Sequence, residues 1–273
     1  MFKILIIGDG FIGYNLYKYF YIKYNTFITT KTILDVTDNN NVYQFLKNHN
    51  FTHIIYAAGI KNTKLCEEQK AATIEVNALA ILRILRQIQP NIRFIYISTD
   101  YVFDGLKGLY TELDQTNPST FYGKSKVIGE SLALYLHENT TVVRTSGVYG
   151  KMSPWMNWLI SELDQHHTIQ CYTNVINSPT YALNLAEMID DVCMHNSYNG
   201  IINLNGPALN RYELYLSVAK QYNKNTDLLI PTNDTLSSFP KNISLDNSKY
   251  VSITNKLPNN ITNGLHRLLD YEN

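Results

Sequence analysis

Gly8-Asp9-Gly10-Phe11-Ile12-Gly13 follows an apolar run, Lys3–Ile7, and opens a stretch of helical period. Few folds begin strand, glycine turn, helix. Glycines at such a junction allow a tight turn, a close backbone approach to a pyrophosphate, and tight packing of helix on strand. The helix start adds free amides and a partial positive charge for the phosphates. The GxGxxG spacing by itself also serves turns that bind nothing. Its place at the first strand–helix junction is what predicts a dinucleotide site made by Gly8, Gly10, Phe11, Ile12 and Gly13.

The alternation continues. Further β-branched runs at Thr26–Thr29, His53–Tyr56, Arg93–Ile97 and Thr141–Arg144 are separated by helical stretches near Ile12–Tyr24, Asn41–Asn48, Ala72–Ile88, Thr120–Leu136 and Trp155–Asp164. Continuously apolar strands between helices predict an α/β fold: a doubly wound parallel sheet covered on both faces, with ligands at the carboxyl ends of the strands. After about Gly150 the pattern loosens into short strands (Thr168–Cys171, Gly200–Leu204), helices (Tyr181–Met194, Arg211–Tyr222) and loops rich in proline and asparagine. No linker or repeat divides the chain. Residues 1–150 therefore read as the dinucleotide-binding domain, and residues 151–273 as a smaller α/β substrate lobe of the same body.

The 273 residues carry no formal net charge, which argues against nucleic acid or an anionic membrane as the main partner. The apolar start is too short for a secretory segment, and no apolar run approaches the ~20 residues of a membrane helix. Cys66, Cys171 and Cys193 are odd in number and widely spaced. They suit a reduced cytoplasm and form no metal-ligand pattern.

The end of the second strand bears on cofactor choice. An NAD enzyme usually places a carboxylate there for the ribose 2′-hydroxyl, and that charge repels a 2′-phosphate. Here the segment reads Thr26-Phe27-Ile28-Thr29-Thr30-Lys31, without an acid and with a lysine. NADP(H) is the expected cofactor, with Thr30 and Lys31 beside the phosphate; Lys31 is equally readable as a solvated loop charge. Asp35-Val36-Thr37-Asp38 comes next, one of its carboxylates either reaching the adenine or capping the following helix.

Tyr122 and Lys126 lie four apart on a predicted helix and so share a face. A phenol with a pKa of about 10 is a poor acid at neutral pH, and an ammonium one turn away lowers that value. The YxxxK spacing is common on ordinary helix surfaces. What singles it out is Ser98-Thr99-Asp100-Tyr101 at the end of the fourth strand, where a hydroxyl can share a substrate carbonyl with Tyr122.

The run Ile97-Ser98-Thr99-Asp100-Tyr101-Val102-Phe103-Asp104-Gly105, with Tyr122-Gly123-Lys124-Ser125-Lys126 and Gly129-Glu130, resembles the dTDP-4-dehydrorhamnose reductase family of extended short-chain dehydrogenases. The likeness extends through Val143-Arg144-Thr145-Ser146-Gly147-Val148-Tyr149-Gly150, Ser178-Pro179-Thr180-Tyr181 and Pro240–Lys249, nearly the whole chain. It implies a Rossmann fold and reduction of the C4 ketone of a dTDP- or UDP-linked 4-keto-6-deoxyhexose by NADPH. Thr99, Tyr122 and Lys126 match the catalytic triad: Tyr122 protonates the alkoxide, Thr99 polarises it, Lys126 tunes Tyr122. Ala57, Ala58, Gly59 and Asn77 match positions around the cofactor, where Tyr122 and Lys126 also stand, the lysine able to hold the nicotinamide ribose. Asp100, Tyr101, Thr145, Ser146 and Gly147 match positions near the sugar.

Three departures stand out. Ile7 occupies the place of a first family glycine. Gly147 stands where a tryptophan commonly covers the sugar, which removes a wall. Asn15 replaces a glutamate that in some members helps hold a cation at a dimer interface, so no metal is expected, while a homodimer stays open.

Cys66 admits two readings. The chain is also similar to the 3,5-epimerase/4-reductase halves of UDP-rhamnose synthases, which carry Cys-Glu after an Ala-Ala-Gly strand end. A thiol near a helix start can move protons at carbons beside a ketone; a small cysteine can equally just pack there. A rival of another class is the regulatory subunit of methionine adenosyltransferase, which resembles the same family yet serves as a binding partner. An epimerase or 4,6-dehydratase holding NAD permanently fits less well, given the missing acid.

Overall fold

A computed structural model describes residues 2–236 and 240–270; Met1 and the last three positions of the C-terminal lobe lie outside them. Strands β1 (Lys3–Ile7), β2 (Asn25–Thr29), β3 (His53–Tyr56), β4 (Arg93–Thr99) and β5 (Thr140–Thr145) are joined by helices α1 (Phe11–Lys23), α2 (Asn39–Lys47), α3 (Thr63–Glu68), α4 (Lys70–Ile74), α5 (Ala80–Leu85) and α6 (Phe121–Leu136). With the Gly200–Asn203 strand they form a six-stranded sheet, ordered Gly200–Asn203, β5, β4, β3, β1, β2, and every pairing is parallel. The chain runs outward from β1 to β2 and then returns to β3 on the other side of β1. The order reverses there, and helices on either side of a reversal leave a crevice at the strand ends.

Period-two alternation divides the strand side chains between two layers. Leu5, Ile7, Ile54, Tyr56, Phe94 and Tyr96 pack with Val42 and Leu46 of α2, Ile81 and Ile84 of α5, and Ala133 of α6. Ile4, Ile6, Ile55, Ile95, Ile97 and Val143 pack with Leu16 and Phe20 of α1 and with Leu185, Met188 and Ile189 of α8 (Ala182–Ile189). Both faces are covered, so the strands carry unbroken apolar runs.

A separate cluster forms the second lobe. Leu159 and Leu163 of α7 (Pro154–Asp164) and Val218 of α9 (Arg211–Gln221) enclose Ile169 and Leu229 with Tyr149 and Tyr181. Cys66, Cys171 and Cys193 are free, buried thiols. Among the described residues no helix is long and apolar enough to cross a membrane.

The helix expected over Ala72–Ile88 is broken in phase. α4 passes through a π turn, Glu75–Leu79, into α5. Asn77 sits in that turn, fully buried, and its side chain leaves the helix to hold the loop after β3. Wide turns inserted in α-helices are frequent at functional sites. The helix expected over Tyr181–Met194 likewise ends as regular α-helix at Ile189 and continues as a π stretch, Asp190–His195.

Candidate active site

Two clefts meet the carboxyl ends of the strands. The first, ≈ 320 Å³, is lined by Gly8, Gly10, Thr30, Lys31, Asp35 and the Ala57–Gly59 loop. Its glycines divide the work expected of them. Gly8 has φ +103°, and a Cβ there would stand 2.7 Å from the Ala58 backbone. A Cβ on Gly13 would lie 1.9 Å from the Gly8 carbonyl oxygen, so helix and strand could not approach as they do. In front of Gly10 nothing lies within 4 Å. Gly10 also begins α1, and no side chain caps it. An open helix start facing a cleft is a cradle for phosphate.

The other residues expected at this cleft differ in where the structure places them. Lys31 is 83% exposed and 4.0 Å from Asp35. Asp35 accepts hydrogen bonds from the Thr37 hydroxyl and amide, which hold its carboxyl below the usual range. Its charge is thus spent on the turn after β2, while Asp38 caps α2. Phe11 and Ile12 line the other cleft; at a helix start the amides point back along the axis but the side chains radiate outward. Thr29, not singled out from the sequence, is 2% exposed, and its hydroxyl, at the wall of the first cleft, has no partner among the described residues. A buried hydroxyl left unsatisfied is costly and marks a place for a ligand group.

Asn77 acts through a loop. Its amide donates to the Ile60 carbonyl (2.9 Å) and to Ser125 Oγ (2.9 Å), and its oxygen accepts from the Ile60 amide (2.8 Å). It ties the Gly59–Ile60 segment to α6, fixing one wall of each cleft.

The second cleft, ≈ 420 Å³, gathers Thr99, Asp100, Tyr101, Tyr122, Thr145, Ser146 and Gly147. Thr99 closes β4, and its Oγ1 accepts from the Tyr101 amide (3.3 Å) while donating to Asp100 Oδ1 (3.0 Å). Ser146 donates to the other Asp100 oxygen and accepts from the Ser178 amide at 3.1 Å. Asp100 is 2% exposed, and burial raises its carboxyl to about 6 against these hydrogen bonds. Thr145 donates to Thr180 Oγ1 at 3.3 Å.

Tyr122 lies in the first turn of α6, whose start is capped by Thr120 (3.1 Å to the Gly123 amide). Burial pushes its phenol above the ordinary range, opposed by a hydrogen bond with Thr99. Lys126, one turn on, donates to the Ile97 carbonyl (2.6 Å) and stands 4.0 Å from the centre of the Tyr96 ring. Burial lowers its ammonium to about 7, opposed by Glu130. The expected lowering of Tyr122 by Lys126 is therefore not the dominant effect: the lysine nitrogen is directed at the strand, and desolvation of the phenol wins.

Behind this set Arg144 of β5 holds Glu130 of α6 by two hydrogen bonds, 3.0 and 2.7 Å, and Ser98 donates to the same carboxylate. Both ions are almost fully buried. The pair locks the α6 helix, and with it Tyr122 and Lys126, against the strand ends.

Cys66 is fully buried, its thiol 3.3 Å from the Ile60 carbonyl, and burial pushes the thiol up. The cleft wall is formed by its neighbours Lys61, Asn62 and Thr63. Opposite, Trp155 at the start of α7 lines the cleft beside Gly147 and stacks on Tyr215 (5.8 Å, 16°). This cleft thus has an aromatic lining residue from an element other than the one that carries Gly147. Its only signal in sequence is Pro154-Trp155 at a helix start, just past the Val143–Gly150 run. Asn15 donates to the Phe11 carbonyl at 2.7 Å.

A threonine at a strand end and a tyrosine at a helix start lining one cleft, a lysine one turn along that helix, and a glycine cradle on the same sheet define the extended short-chain dehydrogenase class. The chain belongs to the RmlD substrate binding domain family, which it matches over residues 2–272. It is similar to the spore coat polysaccharide biosynthesis protein SpsK of Bacillus subtilis, 30% identical with 71% of each chain covered. It is similar to the dTDP-4-dehydrorhamnose reductase of Aggregatibacter actinomycetemcomitans, 27% identical over 91% of this chain and 92% of that one. It is 28% identical to the methionine adenosyltransferase 2 subunit beta of Danio rerio over 80% of this chain and 68% of that one. Among solved structures, its fold resembles a dTDP-4-dehydrorhamnose reductase from Bacillus anthracis in complex with NADP (TM-score 0.91, 24% identity, 99% and 100% covered).

Proposed function

We propose that the protein uses NADPH to reduce the C4 ketone of a nucleotide-linked 4-keto-6-deoxyhexose, in the cytoplasm. The observation that carries this reading is that Thr99 and Tyr122 line the second cleft together, with Lys126 one turn further along α6. Residues 1–150 hold the cofactor and residues 151–273 close over the sugar. Gly8, Gly10, Thr29, Thr30 and Lys31 suit the dinucleotide, since the space before Gly10 and the unsatisfied Thr29 hydroxyl both await a polar ligand. When bound, NADPH supplies hydride to the carbonyl carbon. The chain supplies the rest. Thr99 and Tyr122 direct donors at the carbonyl oxygen as negative charge grows there, and Tyr122 releases its proton to that oxygen. Lys126 offsets the phenolate left behind. Incubating the protein with 4-keto-6-deoxy nucleotide sugars and following NADPH oxidation tests this; no consumption of any such sugar ends the reading. It would also favour the regulatory-subunit reading, which rests on the similarity to the methionine adenosyltransferase subunit.

Cofactor preference follows from β2. No carboxylate stands at its end, so NADPH should serve better than NADH. Lys31 is so exposed that its own share is small. Lys31→Ala should raise KM for NADPH by about threefold and leave KM for NADH unchanged, the scale of an exposed ion pair. Equal losses with both nucleotides would remove Lys31 from phosphate recognition.

Epimerisation before reduction would need a proton carrier next to the ring. Cys66 faces Ile60 with a thiol raised by burial, which supports a packing role. Product made in deuterated water should therefore carry no deuterium at C3 or C5. Mass and NMR analysis of the sugar checks this, and label at either carbon would return Cys66 to the mechanism.

A further inference from the structure

We propose that Asp100 acts as a positioning residue in its neutral form: its carboxyl proton, given to Thr99, frees the Thr99 hydroxyl to point at the substrate carbonyl. This rests on the reductase reading above.

The inference comes from counting protons. A threonine hydroxyl has one proton and two lone pairs. Thr99 gives its proton to Asp100 Oδ1 at 3.0 Å, while its oxygen accepts from the Tyr101 amide, which leaves one lone pair. An ionised Asp100 has no proton to offer, so Thr99 must keep donating to it. In that state Thr99 has nothing left with which to polarise a carbonyl. Turning it away would strip a buried carboxylate of a partner. A neutral Asp100 reverses the bond. With the Ser146 hydroxyl donating to the other oxygen and accepting from the Ser178 amide, the Asp100 proton lies on the oxygen facing Thr99. The chain Ser178–Ser146–Asp100–Thr99 then runs in one direction and ends with a donor in the cleft.

A second effect points the same way. The negative charge of Asp100 raises the Tyr122 phenol, so neutralising Asp100 makes Tyr122 a better acid. The neutral form is accessible, since Asp100 is 2% exposed and burial lifts its carboxyl to about 6. The titratable groups facing it are Tyr122 from α6 and Tyr101 from the turn after β4. Arg211 at the start of α9 acts on Tyr101, and Lys61 stands on the wall of the same cleft. Neither phenol ionises below the alkaline range, because burial raises both.

The test has two arms. In the first, kcat/KM for the ketosugar is measured against pH. In wild type it should fall about tenfold as pH rises through the ionisation of Asp100, the worth of one hydrogen bond. Asp100→Asn donates permanently through its amide, so that fall should be absent whatever its absolute turnover; retained NADPH binding shows that the variant is folded. In the second arm, infrared difference spectra of wild type against Asp100→Asn follow the carboxylic acid C=O stretch without any substrate. The band should titrate with the same midpoint as kcat/KM. An unchanged fall in the asparagine variant, or a carboxylate ionised throughout the pH range of full turnover, would overturn the proposal. A wild type inactive on every ketosugar would sink the reductase reading instead, and the infrared arm would still show whether Asp100 holds a proton.

Discussion

Tyr122→Phe is expected to lose ketosugar reduction by about a thousandfold, within the usual range for removing a general acid, while NADPH binding changes little. The ring stays, so its edge contact with Tyr101 (5.8 Å between centroids) and the packing of α6 are preserved. What goes is the proton donor and the partner of Thr99. Thr99 alone can still polarise the carbonyl, so residual turnover should exceed zero and remain dependent on Thr99. Cofactor binding should survive because Tyr122 lines the second cleft, apart from the glycine cradle. Single-turnover hydride transfer and a fluorescence titration with NADPH separate the two effects. Turnover near that of wild type would remove Tyr122 from proton transfer.

Arg144→Ala should be the most damaging change to stability. It deletes one partner of an ion pair in which both side chains are almost fully buried, stranding the Glu130 carboxylate with Ser98 as its remaining partner. Breaking such a pair costs about 3–5 kcal/mol, and in a chain of this size that corresponds to a fall of about 5–9 °C in Tm. Glu130→Leu with Arg144→Met should recover much of the loss, since an apolar pair leaves no stranded charge. Thermal unfolding of the single and double variants checks both statements. If the single variant melts within a degree or two of wild type, water reaches Glu130 and the pair does not lock α6.

How much of this was readable in advance depends on how far apart the partners lie in the chain. The sheet was readable because parallel strands buried on both faces are apolar without interruption, so β1 and β3 begin and end where the runs do. The glycine turn and the Tyr122–Lys126 spacing were readable because each is a local geometric demand. Contacts between distant segments were not. Ser146 and Asp100 are 46 residues apart, and nothing local in either says that one donates to the other. Trp155 reaches the cleft from α7, and the unsatisfied hydroxyl of Thr29 emerges only when the strand is placed beside the Ala57–Gly59 loop. The role of Arg144 was hidden for the same reason, although the residue itself lies in the recognisable run.

The wide turn at Glu75–Leu79 bears on how this chain tolerates changes of length. Thr73, Asn77, Ile81 and Leu85 follow at intervals of four and are all buried, because the wide turn takes up the drift that this spacing would show on a regular helix. Substitutions along either half leave that alignment intact. Removing a single residue from the turn would put Thr73 out of line with Ile81 and Leu85, swing the buried amide away from Ile60 and Ser125, and detach one wall shared by the two clefts. At this place the number of residues, more than their identity, keeps cofactor and sugar in register.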